Sequence, residues 1–230
     1  YMTMPQHETA LKNARWWQRH PEKAIWIRLT YFISGLFLMT LGIAITTRAD
    51  LGISPIASLP YVISLHTQLS FGAWIFIVNF IFFTLEIVLL GKAFPRLQFL
   101  QIIPVMLMGV FTDFSMMLTQ NIHIEGYLKQ LIYCIAGTFI ISFGVYLTVI
   151  AKLVLNPGEG LVKTIALKAK QLFGNVKIIF DCSLVSLSVL LSWLIAGQID
   201  SVREGTLIGA VLIGLCVKWL MKHVQLDRFY

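Results

Sequence analysis

Hydrophobic and polar positions along the chain fall into long blocks, with neither a strand-like alternation nor the one-sided stripe of a soluble helix. Six apolar runs, near residues 25–47, 72–91, 98–118, 128–150, 175–196 and 204–222, come close to or exceed the ~20 helical residues that cross a ~30 Å hydrocarbon core. Two stretches between them do not qualify so easily. The first, ISPIASLPYVISLHTQL at 53–69, contains Pro55 and Pro60; the second, at 155–172, contains Glu159, Lys163, Lys168 and Lys170. Charged side chains near the centre of a spanning helix cost roughly 2.5–3.5 kcal/mol each, so the second stretch dips into the membrane or lies on it. The pattern predicts an all-α polytopic membrane protein with six transmembrane helices and two short re-entrant or broken helices.

The blocks repeat. Shifting the chain by 102 positions lays GLFLMTLGIAITTRADLGISP (35–55) over GTFIISFGVYLTVIAKLVLNP (137–157). Gly35 then meets Gly137, Gly42 meets Gly144, Thr46 meets Thr148 and Pro55 meets Pro157; further on, Phe71-Gly72 meets Phe173-Gly174 and Asn79 meets Asp181. Past a small insertion the shift becomes 105, where Gly109 meets Gly214. Each unit holds three crossings, an odd number, so the second unit enters the membrane from the opposite side and the two form an inverted 3+3 repeat. Transporters use that architecture to build a site near the midplane from broken helices.

Composition agrees with the block pattern: 57% of residues are hydrophobic and 13% charged, against ~25% charged in soluble domains. The net charge of +7 is an orientation signal rather than a nucleic-acid footprint, because the basic residues flank the apolar runs. Lys92 and Arg96, the Lys152 to Lys177 group, and Lys218, Lys222 and Arg228 all fall on the side of the N-terminus if six segments cross. The positive-inside rule then places both termini in the cytoplasm. Residues 1–24, where Trp16 and Trp17 stand among Lys12, Arg15, Arg19 and Lys23, read as a cytoplasmic amphipathic segment at the headgroup interface. The remaining divisions are a first membrane repeat at 25–118, a second at 128–222 and a tail at 223–230. Cys134, Cys182 and Cys216 lie inside apolar runs without metal or redox spacing and read as packing residues.

Two Pro-initiated turns carry the candidate chemistry. Proline suits the first position of a helix, and serine or asparagine just before it is a favoured N-cap, so Ser54-Pro55 and Asn156-Pro157 read as two half-helix starts. Free N–H groups and the positive dipole end at such starts attract anions and polar solutes. Gly158 and Gly160 leave room for close approach, and Glu159 lies between them. Within the long spans polar side chains are rare unless they face a bundle interior or water. Asn79 and Asp181 occupy equivalent places there, Glu86 and Asp113 are candidates to carry a proton, and Arg48 ends the first run. A structural ion pair or interhelical hydrogen bond is the alternative for each. Gly35, Gly42, Gly137, Gly144, Gly205, Gly209 and Gly214 are read as close-packing positions. No nucleotide-binding, hydrolase or metal motif occurs, so no cofactor, metal or enzymatic activity is expected.

Residues 35–55 together with NPGEG at 156–160 and EGTLIG at 204–209 resemble the YczE/YyaS/YitT group of bacterial integral membrane proteins, over roughly residues 28–222. The resemblance implies a presumed transporter of the cytoplasmic membrane, and singles out Gly42, Ala49, Leu51, Gly52, Ser54, Pro55, Asn156, Pro157, Gly158 and Glu159. It supplies no substrate. Taken together, the expectation is a secondary transporter or channel for a small polar or anionic solute. Its central site is built from Ser54, Pro55, Asn79, Asn156, Pro157, Gly158, Glu159 and Asp181, with Arg48 drawing anions in. Partners are membrane lipid and the solute, with a homo-oligomer left open. An accessory or scaffold protein and, third, a membrane-embedded enzyme are the alternative functions.

Overall fold

The computed structural model describes residues 21–197 and 202–224. The amphipathic segment predicted for 1–24 therefore lies outside the described residues, except for 21–24, which open the first helix. The chain folds as eight α-helices among the described residues: α1 (Pro21–Ala49), α2 (Pro55–Leu65), α3 (Phe71–Leu90), α4 (Ile102–Leu118), α5 (Tyr127–Ala151), α6 (Pro157–Ala169), α7 (Phe173–Ala196) and α8 (Glu204–His223). Two 3-10 turns, Gly91–Ala93 and Arg96–Gln101, join α3 to α4. Six segments, all but α2 and α6, are long and apolar enough to cross a membrane. The protein is an all-α polytopic membrane protein.

Glycine makes the central contact. A methyl group on Gly35 would lie 2.8 Å from the Gly144 carbonyl oxygen, and one on Gly42 would lie 2.7 Å from the Gly137 carbonyl oxygen. Small residues let helix backbones meet closely in lipid, where dispersion rather than water drives association. The pairing also fixes direction, because moving up α1 from 35 to 42 means moving down α5 from 144 to 137. The two helices are antiparallel, and each contact is the image of the other under the 102-residue shift. Thr148 beside Gly35 and Thr46 beside Gly137 form a second such pair.

The loops after these helices match in conformation. Asp50 and Lys152, equivalent positions, end α1 and α5 in the left-handed region at φ 55° and 51°, and each donates its N–H three residues back, to Thr47 and Val149, at 3.3 Å. Ser54 and Asn156 then have near-identical dihedrals (−56°, 143° and −65°, 143°). The packing follows the same two-fold relation: α2 lies on α7 as α6 lies on α3, and α4 lies on α1 as α8 lies on α5. One relation is broken. Helix α3 packs along α4, but α7 and α8 hardly touch. Accordingly 33% and 39% of the α3 and α4 spans are buried, against 17% and 18% for α7 and α8.

The glycine predictions divide along this line. Gly72 and Gly109 close the α3–α4 crossing backbone to backbone, and Gly205 packs on the Leu51 carbonyl and Cys134, whereas Gly209 and Gly214 have nothing within 4 Å among the described residues. Close packing was expected of Gly205, Gly209 and Gly214 but not singled out for Gly72 and Gly109; it fails at 209 and 214 because the helix that would cover them stands away. Of the cysteines, Cys134 is buried, Cys216 half-buried and Cys182 exposed, so Cys182 is not a packing residue.

Candidate functional site

The two short helices begin face to face. A side chain on Gly158 would fall on the Ile56 methyl group, with Phe82 just beyond. Positions 56 and 158 are equivalents, so this contact lies on the pseudo-two-fold axis. The glycine pairs place that axis level with positions 38–39 of α1 and 140–141 of α5. Ala49 is then about ten residues away, or ~16 Å at 1.5 Å per residue, matching half of a ~30 Å hydrocarbon core. An independent contact agrees: the Asn156 amide nitrogen lies 3.8 Å from the sulfur of Met39, the residue of α1 at that level. After each long helix reaches its own face, the chain turns back to mid-membrane and starts a short helix there. With α3 and α4 both crossing and α5 antiparallel to α1, α2 has to return to the face it came from.

The N-cap residues do not cap. Neither Ser54 nor Asn156 makes a side-chain bond to its own helix, unlike Ser70, whose hydroxyl accepts from the Ala73 N–H at 3.1 Å. Ser54 and Asn156 are buried, and Ser54 Oγ and Asn156 Oδ1 have no hydrogen-bond partner among the described residues. Pro60, inside α2, contributes no N–H to the Ile56 carbonyl four residues earlier. Buried polar atoms are nearly always paired. Here two unpaired oxygens stand two residues before Ile56 and Gly158, the pair that makes the apolar contact.

Around this centre the equivalent polar residues diverge. Asn79 is buried and donates to the Ile75 carbonyl of its own helix at 2.8 Å, while Asp181 accepts from Lys177 Nζ at 2.6 Å. Glu159, half-buried, feels the charges of both Lys177 and Asp181, which makes the first turn of α6 and the start of α7 one charged patch. Glu86 is 1% exposed on α3, with Gln101 and Thr164 as its polar neighbours. Its Oε2 is where a Gly160 side chain would begin, 2.5 Å from the ideal Cβ. Thus the space at Gly160 is taken by a carboxyl group of the protein. Gln101, which the sequence reading did not single out, is fully buried.

Two candidates have local structural work. Asp113 Oδ1 accepts from the Gly72 N–H at 2.7 Å and Oδ2 from the Ser70 hydroxyl at 2.6 Å, so its carboxylate neutralises the positive start of α3. Arg48 Nη2 donates to the Met116 carbonyl at 3.1 Å, in the last turn of α4, where free carbonyls attract a cation. Neither belongs to the cluster at the helix starts. Among the described residues no group of His, Cys, Asp and Glu is arranged to hold a metal.

One family model, described as a family of unknown function (DUF6198), matches residues 26–222. The chain belongs to that family. The match runs from the first spanning helix to the last turn of α8 and so takes in both short helices. The family is compatible with the YczE/YyaS/YitT resemblance without establishing it. No curated protein and no solved structure matches the chain.

Proposed function

We propose that this DUF6198 protein is a secondary transporter that carries a small polar or anionic solute across a bacterial cytoplasmic membrane, past the facing starts of α2 and α6. The observation that supports this most is the contact of Ile56 with Gly158 at mid-membrane, flanked by the unpaired oxygens of buried Ser54 and Asn156. Irregular backbone at that depth is tolerated only where protein encloses it or where it lines a pathway. Here Ile56 is the barrier and the helix starts are the binding groups. Anions suit the positive dipole ends of the two short helices, and Glu159, Lys177 and Asp181 supply mixed charge on the side of α6.

The broken symmetry favours a carrier over a channel. In an inverted pair, a state with α3 closed on α4 and α7 apart from α8 has a mirror state in which the roles are exchanged, and alternation between the two moves the barrier across the solute. The open faces of α7 and α8 are also the one observation on the side of a scaffold, since they leave room for another transmembrane helix.

Flux into proteoliposomes tests the proposal with inorganic anions, small carboxylates and neutral polyols as probes. Ile56→Ala raises leak of at least one probe, and Gly158→Leu, which thrusts a side chain into Ile56, blocks it while the protein still elutes and melts as a folded species. Equal flux for all three proteins and for empty liposomes overturns transport through this contact.

A further inference from the structure

Glu86 and its surroundings have a built-in control, because the repeat supplies the same place twice. Under the 102-residue shift Glu86 corresponds to Ser188 and Gly160 to Ser58; under the 105-residue shift Gln101 corresponds to Thr206. In one half the Ser188 hydroxyl donates to Ser58 Oγ at 2.9 Å, both fully buried, with Thr206 buried beside α2 and its preceding loop. In the other half the helix crossing is the same, but the bridging pair is a carboxyl group set against a glycine. The fold therefore needs only two small hydroxyls to close this crossing. A carboxyl group buried to 1% exposure, admitted by a glycine that leaves 2.5 Å where a Cβ would stand, goes beyond what the crossing requires.

No ion pair to Glu86 exists among the described residues. The charged groups on the elements packed against α3 are Glu159, Lys163 and Lys168 on α6, Asp113 on α4, and Lys92 and Arg96 on the connecting turns; α2 carries none. All except Glu159 are exposed; the charge of Lys163 reaches Glu86 without forming an ion pair, Asp113 holds the far end of α3, and Glu159 lies in the field of Lys177 and Asp181. The polar side chains at hand are a fully buried carboxamide, Gln101, and a buried hydroxyl, Thr164. A neutral carboxylic acid complements a carboxamide with one donor and one acceptor on each side, whereas a carboxylate can only accept.

We propose that Glu86, set between Gly160 and Gln101, is an exchangeable proton-binding site of this protein and the point at which a proton gradient is coupled to the solute path. The binding site stands on the geometry of this pocket alone; the coupling rests on the transport reading above. Gly160 lies in the first turn of α6, three residues from Pro157, so a change at the carboxyl group is felt directly by the helix that presents Asn156 to the centre.

The test uses the full chain, purified and reconstituted, with protons as the probe. Infrared difference spectra between acidic and alkaline buffer are expected to contain the C=O stretch of a protonated carboxylic acid that Glu86→Gln removes. The double change Glu86→Ser with Gly160→Ser copies the Ser188–Ser58 bridge; it is expected to fold, keep a wild-type melting profile and lose the same band. Retention of the full band in both variants overturns the assignment. So does a melting temperature raised by sodium chloride over potassium chloride in the wild type alone without such a band, which assigns the site to an alkali cation. In flux assays both variants are expected to lose acceleration by a pH gradient. Persistence of that acceleration after the band is gone overturns the coupling while leaving the proton site intact, and absence of any wild-type flux removes the transport reading while the spectra decide the site.

Discussion

Gly42→Ala is the sharpest perturbation of the fold. The added methyl would stand 2.6 Å from Ile141 Cγ1, 2.7 Å from the Gly137 carbonyl oxygen and 2.8 Å from the Ile141 nitrogen. Carbon contacts relax at about 3.5–4.0 Å, so α1 and α5 must part by ~1 Å. Two of the three obstacles are backbone, and they cannot rotate away as a flexible side chain would. Overpacking of this kind typically costs ~1–3 kcal/mol, which for a chain of this size lowers the melting temperature by roughly 2–12 °C. Gly214→Ala supplies the contrast, because nothing among the described residues lies within 4 Å of that position and alanine exceeds glycine in helix propensity by up to ~1 kcal/mol. Thermal unfolding in detergent, followed by loss of helical circular dichroism, reads both. Shortening Ile141 to Val in the Gly42→Ala protein does not restore the loss, since valine keeps a γ-carbon at the contact and both backbone contacts persist. Equal melting temperatures for Gly42→Ala and Gly214→Ala would refute the glycine-mediated antiparallel crossing and with it the position of the pseudo-axis.

Asp113→Ala removes two hydrogen bonds from the start of α3 and costs about 1–3 kcal/mol in the same melts, while Asp113→Asn, still able to accept one of them, costs less. A change in solute flux without a change in stability would move Asp113 from helix cap to pathway. The pair Phe76→Cys and Gly109→Cys, whose Cβ positions stand 3.0 Å apart, forms a disulfide across α3 and α4 once the helices part by the ~0.5–1 Å that its ~3.5–4.5 Å Cβ separation requires. Oxidation is expected to abolish flux and a reductant to restore it; flux that continues in the oxidised protein favours a channel.

Much of the architecture was legible because lipid imposes simple demands. Six blocks of apolar residues, two prolines after Ser54 and Asn156, and the matched glycines each state a requirement that a sequence can show: length to cross, a helix start, a close approach. Even the antiparallel relation follows from counting crossings. The partners of polar side chains were not legible in this way. Arg48 and Asp113 have the same outward signature as a pathway residue, a charge inside an apolar run, and only the position of α4 shows them binding helix ends. Gln101 was missed because it stands in the first turn of the 98–118 run, near its polar boundary, where polar residues attract no notice; aligning it with buried Thr206 under the repeat was the available signal. Gly214 carries the same small residue as Gly109, yet its neighbour is absent because α7 stands apart, a difference between two copies of one pattern that no pattern encodes. Asn79 and Asp181, paired in the repeat, likewise separate into a backbone hydrogen bond and an ion pair, because Ile75 in one copy is Lys177 in the other.

The central claim is that two helix starts reach mid-membrane from opposite faces and meet there. Single cysteines at Ser54 and at Asn156, in a background without Cys134, Cys182 and Cys216, can be probed in sealed vesicles of known orientation with a small membrane-impermeant thiol reagent. The account predicts that position 54 is modified from the face where α1 ends and position 156 from the face where α5 ends. Modification of both from a single face would contradict it.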